Sequence, residues 1–193
     1  MKYRTVLLFG APGSGKGTQG KILGTVPNCF HCACGEVFRN LKSDSELGRT
    51  FVEYSSQGKL VPDEYTIELW RWAIEAKITL GEFHPEQDML VLDGLPRNPR
   101  QAEMLKDALD VRALFYLVCG DMDKLIARLQ RRALRDNRLD DMNLDVIKTR
   151  LETYDRDTKP VVDFYGQRLV YHIDATQSPI EVLKDIVEPL SKL

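Results

Sequence analysis

Gly10-Ala11-Pro12-Gly13-Ser14-Gly15-Lys16-Gly17-Thr18 is the stretch whose reading decides the fold. It follows an apolar, strand-like segment at 5–9 and leads into a helical stretch at 19–23. Strand, glycine-rich loop, lysine and helix in this order let backbone N–H groups converge on phosphate oxygens with no side chain in the way. Lys16 then reaches the β and γ oxygens of a nucleotide. A plain turn between strand and helix needs one or two glycines, but neither the lysine nor four glycines within positions 10–17. The general phosphate-loop pattern has Ser or Thr directly after the lysine, whereas here Gly17 stands between Lys16 and Thr18.

Outward from the loop, apolar segments of strand length recur at 5–9, 29–33, 89–92, 113–119 and 169–173. Most are continuous rather than alternating, as strands covered by helices on both faces are, so a five-stranded parallel sheet is expected. Between them, Ile67, Trp70, Ile74 and Ile78, and again Ile147, Leu151, Tyr154, Thr158 and Val161, repeat at helical spacing and lay apolar stripes on the sheet. Ser178-Pro179-Ile180-Glu181 has the form of a capping box and announces a last helix with Leu183, Val187 and Leu190 on one face. Pro189 is expected to weaken its end. With no internal repeat and no linker rich in Pro, Gly or Ser, residues 1–193 read as a single α/β domain.

The 193 residues carry 27 Lys and Arg against 29 Asp and Glu, a formal charge of −2. That balance argues against bulk nucleic-acid binding and leaves room for a local basic site built from a minority of the arginines. The longest apolar run, 113–119, is far short of the roughly 20 residues a membrane span needs. Met1-Lys2-Tyr3-Arg4 runs into the first strand without a small-residue cleavage site, so a soluble, cytoplasmic protein with no membrane partner is expected. Cysteines stand at 29, 32, 34 and 119, with no second Cys/His pair at the spacing of a closed zinc site. Reduced thiols and no structural zinc follow as expectations. No Gly-x-Ser-x-Gly elbow occurs, which removes support for a triad hydrolase.

The loop Gly-x-Pro-Gly-x-Gly-Lys-Gly-Thr resembles that of the adenylate kinases and their nucleoside monophosphate kinase relatives. The resemblance continues through Gly35-Glu36-Val37-Phe38-Arg39, Gly58-Lys59-Leu60-Val61-Pro62, Asp93-Gly94-Leu95-Pro96-Arg97, Gln101, Arg138-Leu139-Asp140-Asp141 and Arg150-Leu151-Glu152-Thr153-Tyr154, and so covers nearly the whole chain. It implies a three-layer P-loop fold with a helical acceptor-binding insertion at 34–61 and a short lid at 131–141. It also implies Mg-dependent, reversible phosphoryl transfer from ATP to AMP giving two ADP, by a monomer. The lid segment holds no Cys or His, so it is similar to the short-lid form that lacks a zinc-binding insertion. The insertion and the lid are expected to move when substrates bind.

Carried over residue by residue, the resemblance assigns ATP to Gly13, Ser14, Gly15, Lys16, Gly17, Thr18, Arg128, Arg132 and Gln177. AMP falls to Cys34, Arg39, Lys59, Leu60, Val61, Gly94, Arg97, Gln101, Arg138 and Arg150. The catalytic set is Lys16, Arg97, Arg132, Arg138 and Arg150. Planar guanidinium forks suit phosphate oxygens, and their charge is insensitive to pH. Asp93 closes a strand at its carboxyl end, where ligands of open parallel sheets bind, and is expected to hold Mg2+ through water. Asp140 and Asp141 are expected to brace lid arginines.

Gln101 carries an amide that both donates and accepts, matching the N1 and amino edge of adenine. Pyrimidine-specific relatives carry Asn at this place, and Asn98 also occurs in that group, so a UMP/CMP kinase is the alternative. Departures from the family pattern stand at Cys34, Leu95, Ala133 and Asn137; Cys34 and the replaced lid glycines at Ala133 and Asn137 motivate a third reading, an adenylate-binding module with weak catalysis.

Overall fold

Alternation along the first strand builds two cores at once. In β1 (Tyr3–Gly10) Leu7 and Phe9 enter one apolar cluster while Val6 and Leu8 enter another, and all four are buried. A strand that is apolar on both faces needs cover on both. The computed structural model, which describes residues 2–42, 44–136, 138 and 141–193, supplies that cover. On one face lie α1 (Lys16–Leu23) and α9 (Pro179–Leu190), contributing Leu23, Val182 and Ile186. The other face is covered by α2 (Cys34–Arg39), α4 (Asp63–Thr79), α5 (Pro99–Leu105) and α8 (Val161–Tyr165), among whose residues Phe38, Ile67, Trp70, Ile74, Leu105 and Val161 are buried. The fold is a three-layer α/β structure, as expected.

The sheet also contains β2 (Cys29–Ala33), β3 (Met89–Asp93), β4 (Leu109–Val118) and β5 (Val170–Asp174). Its order is β2-β3-β1-β4-β5 and its pairings are all parallel. In register, Leu8 pairs with Asp93, Ala33 with Asp93, Gly10 with Leu117, and Val118 with Asp174. Parallel order therefore brings every carboxyl end to one edge, and central β1 opens its loop in the middle of it.

Two expectations need correction. β4 begins at Leu109, not at 113, because the pairing of β1 shifts from Thr5 with Val111 to Val6 with Ala113. The extra residue, Arg112, makes a bulge that swaps the faces: Leu109 and Val111 belong to the first cluster, but Ala113, Phe115 and Leu117 belong to the second. With Asp110 and Arg112 interrupting it, that start does not look apolar. Second, the stripe from Ile147 to Val161 is not one helix. α7 (Leu144–Thr153) gives way to a wider turn, Tyr154–Thr158, in which the Lys159 N–H donates to the Tyr154 carbonyl five residues back at 2.9 Å. Ile147 and Leu151 pack with Leu125 and Leu129, while Tyr154 and Val161 join the sheet. α9 itself runs to Leu190, one residue past Pro189, which removes one bond from the last turn. The capping box at Ser178 and Glu181 forms as expected.

Residues 34–61 are largely helical, comprising α2 and α3 (Glu46–Ser56), whose start is capped by Ser45 Oγ accepting from the Gly48 N–H at 3.0 Å. Among the described residues no helix is long and apolar enough to cross a membrane. The four cysteines are free thiols, and burial pushes Cys32 up to about 12 and Cys34 up to about 11.

Candidate active site

The phosphate loop takes its shape from glycine where no other residue fits. Gly10 has φ of +141°, and a Cβ there would lie 2.5 Å from the Leu117 carbonyl oxygen. At Gly15, φ of +105° turns the chain directly into α1, whose N–H groups ahead of Thr18, the first to donate to the Gly15 carbonyl at 3.0 Å, have no carbonyl of the helix to bond. Ser14 Oγ is buried, has no hydrogen-bond partner among the described residues, and lies on the wall of the cleft above the loop. Lys16 Nζ donates to the carbonyls of Gly10 at 2.7 Å and Ala11 at 3.0 Å. Burial lowers its pKa to about 8; Asp93 opposes that shift, and Arg132, Arg97 and Arg150 add to it. The loop thus holds an ammonium on neutral carbonyls beside several fixed positive charges, an arrangement that an arriving anion relieves.

That cleft, of about 770 Å³, runs along the carboxyl edge of the sheet. On the donor side it is lined by Gly13, Gly15, Gly17 and Thr18 of the loop, by Arg128 and Arg132 of α6 (Met122–Asp136), and by Gln177. Arg128 and Arg132 are four residues apart and face the same space, as their spacing suggests. Arg128 Nη1 donates to the Ala175 carbonyl at 2.8 Å, and Gln177 Nε2 donates to Asp185 Oδ2 at 2.8 Å. On the acceptor side the wall includes Arg39, Lys59, Leu60, Val61, Gly94 and Arg97. Arg97 Nε donates to the Gly94 carbonyl at 2.7 Å, which sets the guanidinium against the residue with φ of +78° at the end of β3.

Arg132, Arg138 and Arg150 converge on one acid. Asp141 has no exposed side-chain surface; its Oδ2 lies 2.7 Å from both Nε and Nη2 of Arg132 and 3.6 Å from Arg138 Nε, and its Oδ1 takes Arg150 Nη1. The expectation that Asp141 braces lid arginines is met. Asn137, Leu139 and Asp140, also named in that segment, lie outside the described residues. Ala133 is buried on α6.

Two expected AMP residues are not on the cleft wall. Cys34 and Gln101 are each 1 % exposed. Cys34 packs into the apolar cluster under α2. Gln101 is turned into a polar network: its Oε1 accepts from the Arg97 N–H at 2.7 Å, and its Nε2 donates to Asp63 Oδ1 at 2.8 Å. Asn98, which kept a pyrimidine acceptor open, is the N-cap of α5: its Oδ1 accepts from the Gln101 N–H at 2.7 Å and its Nδ2 donates to the same Asp63 oxygen at 2.8 Å. Leu95 lines the cleft with a nearly buried side chain.

Asp93 lies at the carboxyl end of β3 on the cleft wall, and a Cβ on Gly17 would come within 3.6 Å of its Oδ2. A single carboxylate beside the start of α1 suits a largely hydrated Mg2+ carried in on a nucleotide.

A family model described as adenylate kinase matches residues 8–170. The chain belongs to the adenylate kinase family. It is 34 % identical over 194 residues to the adenylate kinase of Bacteroides thetaiotaomicron, covering 97 % of this chain and 98 % of that protein. It is 37 % identical to that of Phocaeicola vulgatus over the same shares, and 39 % identical over 182 residues to that of Thermobifida fusca, covering 91 % and 92 %. The enzyme is accordingly a nucleoside monophosphate kinase.

Several residues of this kinase were not singled out by sequence. Arg131 and Arg135 add to the positive wall, and Lys21, ion-paired with Glu36 at 3.1 Å, lines it from α1. Helical spacing from Arg128 would have found Arg131 and Arg135. Asp63 had no such signal, because its partners Asn98 and Gln101 lie 35 and 38 residues away.

Proposed function

We propose that this adenylate kinase transfers the γ-phosphoryl group of ATP in line and directly to a phosphate oxygen of AMP, giving two ADP reversibly. The Pγ–O bond to the β-phosphate breaks as a bond forms from phosphorus to the AMP oxygen, and no covalent enzyme intermediate is needed. The observation that carries this reading is the meeting of a phosphate loop with arginines from α2, α6, α7 and the β3–α5 connection around one cleft. Phosphoryl transfer demands positioning and compensation of charge more than acid–base chemistry, and this wall offers both. The acceptor oxygen is already ionised, so no general base is assigned.

In this reading the loop from Gly13 to Thr18 cradles the β and γ phosphates, with Ser14 Oγ donating a bond it has no other use for. Lys16 leaves its loop carbonyls for the β and γ oxygens. Arg128 and Gln177 flank the donor base. Arg39 and Arg97 hold the AMP phosphate, with Lys59, Leu60, Val61 and Gly94 beside the nucleoside. Arg132, Arg138 and Arg150 surround the group in flight, held near one another by Asp141. Asp93 would hold Mg2+ through water, and the ion when bound would draw charge from the β and γ oxygens. Cys34 and Gln101 reach the acceptor base after the segment at 34–61 moves, and the lid at 131–141 closes over the phosphates to exclude water. The adenylates are small soluble substrates, and the free thiols accord with action in the cytoplasm.

None of these observations favours a pyrimidine acceptor or a module that binds without turnover. Phosphorus NMR of the protein with MgATP and AMP, UMP, CMP, GMP or no acceptor, in separate tubes, tests the reading. ADP formation confined to the AMP tube is expected. Faster transfer to UMP or CMP would reassign the acceptor, and silence in every tube with ATP still protecting against heat would leave only a binding module.

A further inference from the structure

The amide of Gln101 stands between two neighbours of opposite and unchangeable character. Its oxygen accepts from the Arg97 backbone N–H at 2.7 Å, and its nitrogen donates to Asp63 Oδ1 at 2.8 Å. A backbone N–H only donates and a carboxylate only accepts, so the reverse orientation sets N–H against N–H and oxygen against carboxylate. At 1 % exposure, a turned amide has almost no access to water to repair those losses. Asp63 is itself held in place. It is the first residue of α4, its Oδ1 also accepts from Asn98 Nδ2 at 2.8 Å, and Arg100 Nε lies 3.9 Å from Oδ2. Asn98 in turn caps the helix that carries Gln101.

We propose that Asp63 makes the acceptor site select adenine over guanine by locking the Gln101 amide in one orientation. The proposal rests on the reading that Gln101 meets the acceptor base. Adenine presents the N6 donor beside the N1 acceptor; guanine presents the O6 acceptor beside the N1–H donor. An amide oxygen has a second lone pair and an amide nitrogen a second hydrogen. Gln101 can therefore stay in its network and still offer an acceptor and a donor side by side, in the order that adenine needs. Guanine requires the amide turned over, which Asp63 and the Arg97 N–H oppose together. Asp63 does not touch the nucleotide in this scheme; it is a positioning residue acting through Gln101, 38 residues away in sequence.

The test is Asp63→Asn in the full chain, because an amide of the same shape can present either oxygen or N–H to Gln101. Asp63→Ser, which also removes the one-way acceptor and keeps a hydroxyl at the helix start, is the second variant. Gln101→Ala is the reference. Initial rates are measured with MgATP and either AMP or GMP. Both Asp63 variants are expected to lower the AMP-to-GMP ratio of kcat/KM by about tenfold or more, through KM for the acceptors and with KM for ATP unmoved. An unchanged ratio overturns the lock, as does a change that extends to KM for ATP, which marks a merely structural role. An unchanged KM for AMP in Gln101→Ala overturns instead the reading of the site on which the lock rests, and the two failures are distinguishable.

Discussion

Replacing Asp141 by Asn removes the charge on which Arg132, Arg138 and Arg150 converge while keeping the side chain's shape. Asp141 has no exposed side-chain surface, and its partners Arg132, Arg138 and Arg150 retain 27 %, 14 % and 19 % exposure toward the cleft. Removing one partner of a buried charge cluster costs about 3–5 kcal/mol, because the remaining like charges lose the carboxylate that offsets their repulsion. The open side of the arginines screens part of that, so the low end, about 3 kcal/mol, applies. At an unfolding entropy of about 2.1 cal/mol/K per residue, this length of chain loses roughly 7 °C in Tm. Asp136→Asn is the comparison: that acid sits at the exposed end of α6 and pairs with Arg135 at 2.7 Å, where solvent competes. Scanning calorimetry of the ligand-free proteins decides the matter. A fall of less than about 2 °C for Asp141→Asn, or an equal fall for Asp136→Asn, would refute the view that these three arginines are organised by one buried carboxylate.

Two further predictions concern the working enzyme. Burial, and with it the neighbouring arginines, lowers the pKa of Lys16 to about 8. Triphosphate favours the charged form, so the affinity for a non-hydrolysable ATP analogue should fall as pH rises through about 8, by up to about tenfold per unit. Calorimetric titration giving one dissociation constant from pH 7 to 9.5 would contradict this. Probes on α3 and on the lid end of α6, each paired with one on β5, should come closer when a bisubstrate analogue joining both nucleotides is added; unchanged distances would mean that 34–61 and 131–141 do not close.

Much of the fold was legible in short stretches. The turn at Gly10 to Thr18, the capping box at Ser178 and the apolar faces of β1 and β3 depend on residues a few positions apart, through periodicity, positive φ and local caps. The site's cast was legible too, because phosphate chemistry calls for a glycine loop, a lysine and guanidinium forks in recognisable settings. What a local pattern could not carry was phase and partnership. The bulge at Arg112 reverses which face of β4 is which, and only pairing against β1 reveals it. The stripe at Ile147, Leu151, Tyr154 and Val161 keeps helical spacing, yet a wide turn divides it between two clusters.

By itself, then, the order of residues determined the parallel α/β class, the phosphate loop and the identity of the charged groups at its edge. Tertiary structure alone decided the order β2-β3-β1-β4-β5, the gathering of Arg132, Arg138 and Arg150 on Asp141, and the tying of Gln101 to Asp63 in a buried network. The division is physical. Backbone preference and apolar periodicity act over one or two turns of chain. A buried carboxylate chooses its partners from whatever packing brings within hydrogen-bond reach.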